Sequence, residues 1–563
     1  MERAEPHPLS DAALHPRSTV EQQDNSGAYV QALREEYRAL GKIQAVLGWY
    51  TSTQGEPSLG QITYLGHDRL FQQAALQAIG AAQGKATGNE AQALKFLKRT
   101  LTGEIVALSI AKFDDEYSDT EAAATVTVPG REKPVAYRDM QGLIAQEPDA
   151  AKRTQAYAAM NAVRVSKLNP ILERKEKAAQ AAAREAGFAD YVALSEDLRE
   201  VQLQPLLASG VTYVQKTDAL FKKTLDRVAH EELGLGREQM RLSDFSRLWK
   251  SPRLSKFFDN ALELKTLLSF LGGIGLDLRS AVGTEVQIDD SVRPKKRPRA
   301  FVQPVDPPGD VRLSVKPVGG LDDYWTLFHE AGHAVHFAST TIEPKELVQL
   351  GYGAPTEAFG EFFRHAFSDP HFLVRYQGFL KAEGKPAPTN AELSAILRRT
   401  ALIEMMYIRR YAFAKTAYEL RLHGRPATEI AAASAVLPDA ARASNDLREL
   451  YRQCMSVAYS IELNEAESQA YRTDVDDTFY SADYARAFAL AGMMHEGMRR
   501  RFGDDWYGNH DAGKFLRERL FTQGTALSSE DVAERMGFSR KVDFEAAAAR
   551  AERLIAEADK LER

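Results

Sequence analysis

The sequence predicts a mainly α-helical protein, and three observations carry that reading. Long stretches rich in Ala, Leu, Glu, Lys, Arg and Gln run through its 563 residues, and these side chains have the best helix propensities. Strand-like pieces are few and short. Proline and glycine break the helical runs without separating domains, and no repeat of fixed period is present.

In chain order, Met1–Ser26 is polar and lacks the apolar core of a secretory signal. Residues 1–27 read as a flexible tail before a single domain over 28–563. Helical runs follow at Ala28–Tyr50, Ala91–Phe113, Asp139–Gly187 and Ala208–Leu233. The densest breaks lie between Ser280 and Gly320, and helical runs resume at Ala391–Leu422 and Ser481–Phe502. The strand-like pieces are Ala123–Val128, Ala300–Val305 and Val311–Val315. The last two flank Asp306-Pro-Pro-Gly309, a turn-forming run, and are expected to form a hairpin. Alanine patches at Ala178–Ala183 and Ala546–Ala549 read as helix surface or tight helix packing.

Composition narrows the function. Hydrophobic content of 44% and charged content of 27% suit a soluble globular protein. A net charge of −6 leaves no basic footprint for nucleic acid. No apolar run reaches the length of a membrane span. The single cysteine, Cys454, cannot form an internal disulfide, so no oxidising compartment is implied and a cytoplasmic location is expected.

The chemistry centres on His329-Glu-Ala-Gly-His333, inside the helical run Trp325–Phe337. Residues i and i+4 share a helix face, so both imidazoles can ligate one Zn²⁺, with Glu330 beside them to handle the proton of a metal-bound water. A third ligand is offered by Glu357, 24 positions beyond His333, in the helical run Pro355–Phe367. Two imidazoles and one carboxylate leave a fourth position for water, the pattern of a catalytic site with one zinc per chain. Glu361, one turn on, either accepts the spare N–H of a ligand histidine or lies on a solvated face. His336 is expected to pack behind the metal, and His365 and His495 to be structural. Gly351-Tyr-Gly353 lacks the lysine and strand of a phosphate loop; its glycines suit a loop approaching substrate, with Tyr352 as a donor.

Thr326-Leu-Phe-His-Glu-Ala-Gly-His-Ala-Val-His336 resembles the thimet oligopeptidase/neurolysin family of zinc peptidases, whose signature is TLFHE-x-GH-x-x-H. Glu357-Ala-Phe-Gly-Glu361 is similar to the E-A-x-G-D run of angiotensin-converting enzyme, a relative with the same helical fold. The resemblance implies a two-lobed helical clam-shell with a small β element beside the zinc helix and a deep substrate channel. It also implies short peptides as substrates, a zinc-site region over about 297–367 and a substrate segment over about 471–503. Arg297-Pro-Arg-Ala-Phe-Val302 lies where these families place an edge strand that pairs with the substrate backbone, so Ala300, Phe301 and Val302 are candidate substrate residues.

The same resemblance marks Tyr480, Tyr484 and Arg486, in Phe479-Tyr-Ser-Ala-Asp-Tyr-Ala-Arg-Ala-Phe488, as counterparts of substrate and oxyanion residues. It puts Ala487 where these families carry a tyrosine that stabilises the oxyanion, and their upstream histidine is missing among Asp474, Asp476 and Asp477. Tyr484, Tyr480 or Tyr352 is the candidate replacement. The expected activity is zinc-dependent hydrolysis of peptide bonds with Glu330 as general base. The alternative is a catalytically weak, zinc-containing peptide-binding protein of the same fold.

Overall fold

The computed structural model describes residues 26–56, 60–297 and 299–563; the expected tail, up to residue 25, lies outside them. The fold is mainly α. Helices Ser26–Gln54, Gly88–Ala123, Leu203–Leu233 and Tyr480–Phe502 cover four of the helical runs read from composition, and Asn390–Ile408 covers the first part of another, Ala391–Leu422. Asp139–Gly187 departs from that reading, because it divides into Met140–Gln146, Ala150–Val163, a π-helical turn at Arg164–Leu168, and Asn169–Glu185. The first break follows from Pro148, which has no N–H and disfavours helix at the residue before it. Asp149 then caps the next helix by accepting from the Lys152 N–H.

The apolar interior is divided. One large core draws on residues from Val192 to Ala558. Smaller clusters gather Val30–Leu101, Ala124–Leu168 and Val106–Leu194, so the first two hundred residues build cores of their own. Among the described residues no helix is long and apolar enough to cross a membrane.

Among the described residues there are two small sheets. Thr125–Val126 pairs antiparallel with Val135–Ala136. The second has three strands in the order Gln287–Asp289, Asp310–Ser314, Phe301–Asp306. The expected hairpin pairs Phe301 with Ser314, Val302 with Leu313 and Gln303 with Arg312, which leaves Phe301–Asp306 as an edge strand. Pro304 sits where a residue without a ladder donor is tolerated. The parallel third strand was not legible in sequence, being only three residues long.

The histidine helix, Leu321–Ser339, begins after Gly319 and Gly320, both at positive φ (88° and 94°), a conformation that favours glycine. Asp322 and Asp323 occupy its first turn, where negative charge suits the helix dipole. The glutamate helix, Gly353–Arg364, crosses it at two glycines. A Cβ on Gly332 would lie 2.4 Å from the Phe359 carbonyl oxygen and 2.8 Å from Gly360 Cα. This glycine contact sets how closely the two helices approach, and with it the spacing of the candidate ligands.

Candidate metal centre

His329, His333 and Glu357 converge in the structure, with one donor atom from each lying within 4.8 Å of the others. The two Nε2 atoms are 3.0 Å apart. Glu357 Oε2 lies 3.4 Å from His329 Nε2 and 3.8 Å from His333 Nε2. Two ligands at zinc bonding distance in a tetrahedral shell sit about 3.3 Å apart, so the donor set fits such an ion. Glu357 Oε2 is buried and has no hydrogen-bond partner among the described residues, and an orphaned carboxylate oxygen aimed at two imidazoles calls for a cation.

The three groups are strongly coupled electrostatically. Burial opposes charging His329, but the neighbouring Glu357 carboxylate and then that of Glu361 outweigh it and lift the imidazole to about 10. Burial would raise Glu357, yet the adjacent imidazoles of His329 and His333 hold it at about 2. His333 is pushed down, by burial first and by His329 second.

Around these three, Glu361 Oε1 lies 3.2 Å from His329 Nδ1, on the side away from the convergence point, and Arg364 donates to the same oxygen at 3.2 Å. Glu361 is buried, so of the two sequence readings the solvated face is corrected: Gly360 lets the glutamate helix turn this side chain inward against His329. The Tyr480 hydroxyl donates to Glu357 Oε1 at 2.5 Å. Glu330 Oε2 accepts the backbone N–H of Val302 at 2.9 Å, which joins the candidate base to the edge strand. Ala300 is buried, while Phe301 and Val302 are half-buried.

Tyr480 is delivered by a strained turn. Thr478 and Phe479 both have positive φ, 51° and 54°, a region costly for a β-branched or bulky residue. Arg199 holds the turn: Nε donates to the Thr478 carbonyl at 3.1 Å, Nη2 to Thr478 Oγ1 at 2.7 Å and Nη1 to Asp483 at 3.0 Å. Its guanidinium lies 4.7 Å from the Tyr480 ring centroid. The Tyr191 hydroxyl accepts the Thr478 N–H at 2.8 Å.

The other candidates are placed as follows. Tyr484 stands against Tyr480 with ring centroids 5.1 Å apart and shares a cavity with His329. Burial, and then the Glu357 carboxylate, raise its hydroxyl above the usual tyrosine range. Tyr352 packs edge-on against Phe96, and its hydroxyl is raised by burial and by neighbouring Glu200. Arg486 spends its guanidinium on the carbonyls of Arg199 and Glu200 and on Asp483, tying the tyrosine helix (Tyr480–Phe502) to the helix Tyr191–Arg199. His336 is buried and donates to the Gly524 carbonyl at 2.9 Å. Ala487 is fully buried.

The cavity beside His329 has a volume of about 450 Å³. Its walls include Trp325, Arg364, Tyr407 and Tyr411, none of which sequence reasoning had singled out. Tyr411 sits in a π-helical turn, Arg409–Lys415, inserted between α-helices Asn390–Ile408 and Thr416–Leu422. Such turns recur at functional sites, but helical periodicity in a sequence does not reveal them.

Comparison with known proteins adds a likeness of fold. No family model matches this chain, and no curated protein is similar to it. Among solved structures, the "crystal structure of putative peptidase from Chlamydophila abortus" superposes with a TM-score of 0.62. The match covers 96% of this chain and 91% of that one at 14% sequence identity.

Proposed function

We propose that this chain is a zinc-dependent peptidase acting on short peptides, with His329, His333 and Glu357 holding one zinc ion. The observation that carries the reading is the convergence of two imidazole nitrogens and an orphaned carboxylate oxygen beside the edge strand Phe301–Asp306. Its mainly helical fold, shared with a structure named as that of a peptidase, supports it.

When bound, zinc supplies Lewis acidity and lowers the pKa of its water. The protein's own groups do the rest. The edge strand offers main-chain groups around Ala300–Val302 to an extended peptide, as strand addition requires. Glu330 takes a proton from the attacking water and returns it to the leaving amine. Its carboxylate is already bonded to the Val302 N–H, so the base sits where the strand would lay the scissile bond. Glu361 fixes the orientation of His329, and Tyr480 that of Glu357.

One observation favours a second reading, a zinc-containing peptide binder with weak catalysis. Ala487 brings no hydroxyl, and the hydroxyl of Tyr480 is engaged by Glu357. Glu330→Gln separates the two. Under the peptidase reading it keeps zinc and peptide affinity and loses about 10²–10⁴-fold in turnover. Metal analysis with a mass-spectrometric peptide digest reads both quantities. A zinc-loaded wild type that cleaves nothing in a broad peptide library would leave the binder reading in place.

A further inference from the structure

We propose that the cavity beside His329 receives an aromatic side chain of the substrate, from a residue flanking the bond that is cut. This rests on the peptidase reading and names the class of peptide it would prefer.

The cavity is placed to read such a residue. His329 and Glu361 form part of its wall, and Arg299, two residues before the edge strand, stands exposed at its rim. A peptide paired along Ala300–Val302 would therefore pass its side chains over this opening. Its volume of about 450 Å³ falls within the range of small-ligand pockets, with room for one bulky side chain and adjoining backbone.

Its walls are built from ring faces. Tyr407 stacks on Tyr411 with centroids 5.5 Å apart and on Phe488 at 4.8 Å. Tyr411 meets Tyr484 at 5.8 Å. The Arg364 guanidinium lies 4.8 Å from the Trp325 ring centroid, 5.3 Å from that of Tyr407 and 5.5 Å from that of Phe488. The π-helical turn carries Tyr411 into this wall. A flat ring entering here finds partners for stacked and edge-on contact.

Charge rejects the alternatives. A lysine or arginine side chain would meet Arg364 and Arg299. An aspartate or glutamate would be desolvated among rings and would face Glu361 and Asp322, with Arg364 already engaged by Glu361 and Arg299 out at the exposed rim. Neither acidic group gives a free partner to a cation, since Glu361 accepts from Arg364 and Asp322 lies 3.3 Å from Arg399.

The test compares peptides that differ only in carrying Phe or Ala at the flanking position. Wild type should favour Phe by about 100-fold or more in kcat/KM, the scale on which a shaped apolar pocket discriminates. Tyr411→Ala should cut that preference at least tenfold with zinc content unchanged, and Tyr411→Trp, which narrows the cavity, should shift preference toward smaller residues. Phe and Ala peptides cleaved equally well by wild type would overturn the pocket while leaving the peptidase reading intact. If zinc-loaded wild type cleaves no peptide, the peptidase reading fails by itself, and calorimetry on the same protein judges the pocket. N-acetyl-phenylalaninamide should then bind at least tenfold tighter than N-acetyl-alaninamide, and equal affinities would overturn the proposal.

Discussion

Tyr480→Phe isolates one atom at the candidate metal centre. The Tyr480 hydroxyl carries a single proton and gives it to Glu357 Oε1 at 2.5 Å, within a site where Glu357 is buried. Hydrogen bonds to a charged acceptor contribute about 1.5–3 kcal/mol. Partners that orient a metal ligand typically change affinity by about 10–100-fold, or about 1.4–2.8 kcal/mol, so the two scales agree. The ring would stay in place, because Tyr484 packs against one side and the Arg199 guanidinium against another. We therefore expect zinc affinity to fall by about 10–100-fold, read by competition with a chelator of known affinity, with turnover at saturating zinc changing by less than about fivefold. Unchanged zinc affinity with turnover down about 10²-fold would refute this reasoning and make Tyr480 an oxyanion donor.

Four further outcomes follow from the same geometry. Tyr484→Phe should lower turnover by about 10²-fold with zinc content unchanged; wild-type rates would remove it from the chemistry. Gly360→Ala places a Cβ 2.7 Å from His329 Cε1, so it should abolish most zinc binding while helical circular dichroism persists, and full zinc occupancy would show that the helices can shift apart. Gly332→Ala meets backbone at 2.4 Å and should cost about 1–3 kcal/mol of stability, seen as a lower melting temperature, with an unchanged melt counting against the glycine contact. Glu263 is fully buried, and burial, followed by the Asp323 carboxylate, pushes it up to about 9. Its folded form keeps a proton that the unfolded chain releases above about 4.3, so wild-type stability falls as pH rises from there toward 9. Glu263→Gln lacks this dependence, and its melting temperature relative to wild type should rise between pH 5 and pH 8; a constant difference would contradict the buried, protonated carboxyl.

Much of the architecture was readable because it is local. Helix propensity accounts for Ser26–Gln54, Gly88–Ala123 and Tyr480–Phe502, and the four-residue spacing of His329 and His333 puts both imidazoles on one face. Glu357 could be proposed because its helix follows closely in the chain. The rest depends on distant contacts. Nothing around Arg199 announces that it will hold Thr478, 279 positions away. Tyr411 would point elsewhere if Arg409–Lys415 were an α-helix, and a single extra residue in a turn leaves the composition unchanged. Gly332 and Gly360 read as mild helix weaknesses until the partner helix is in place. The hydroxyl of Tyr352, a candidate from its loop, lies beside Glu200, a residue at the far end of another helix.

The clamp by Arg199 also bears on how the protein is made. The three candidate ligands and Glu361 span only residues 329 to 361, so a ribosome delivers them nearly together. Tyr480 arrives more than a hundred residues later, on a turn that settles only against a helix synthesised long before. A nascent or truncated chain ending before this turn would present the ligand cluster without its buttress and would hold metal loosely. Under the zinc reading, tight metal retention would report that this turn has formed, because it ties Arg199 to a segment 279 positions later.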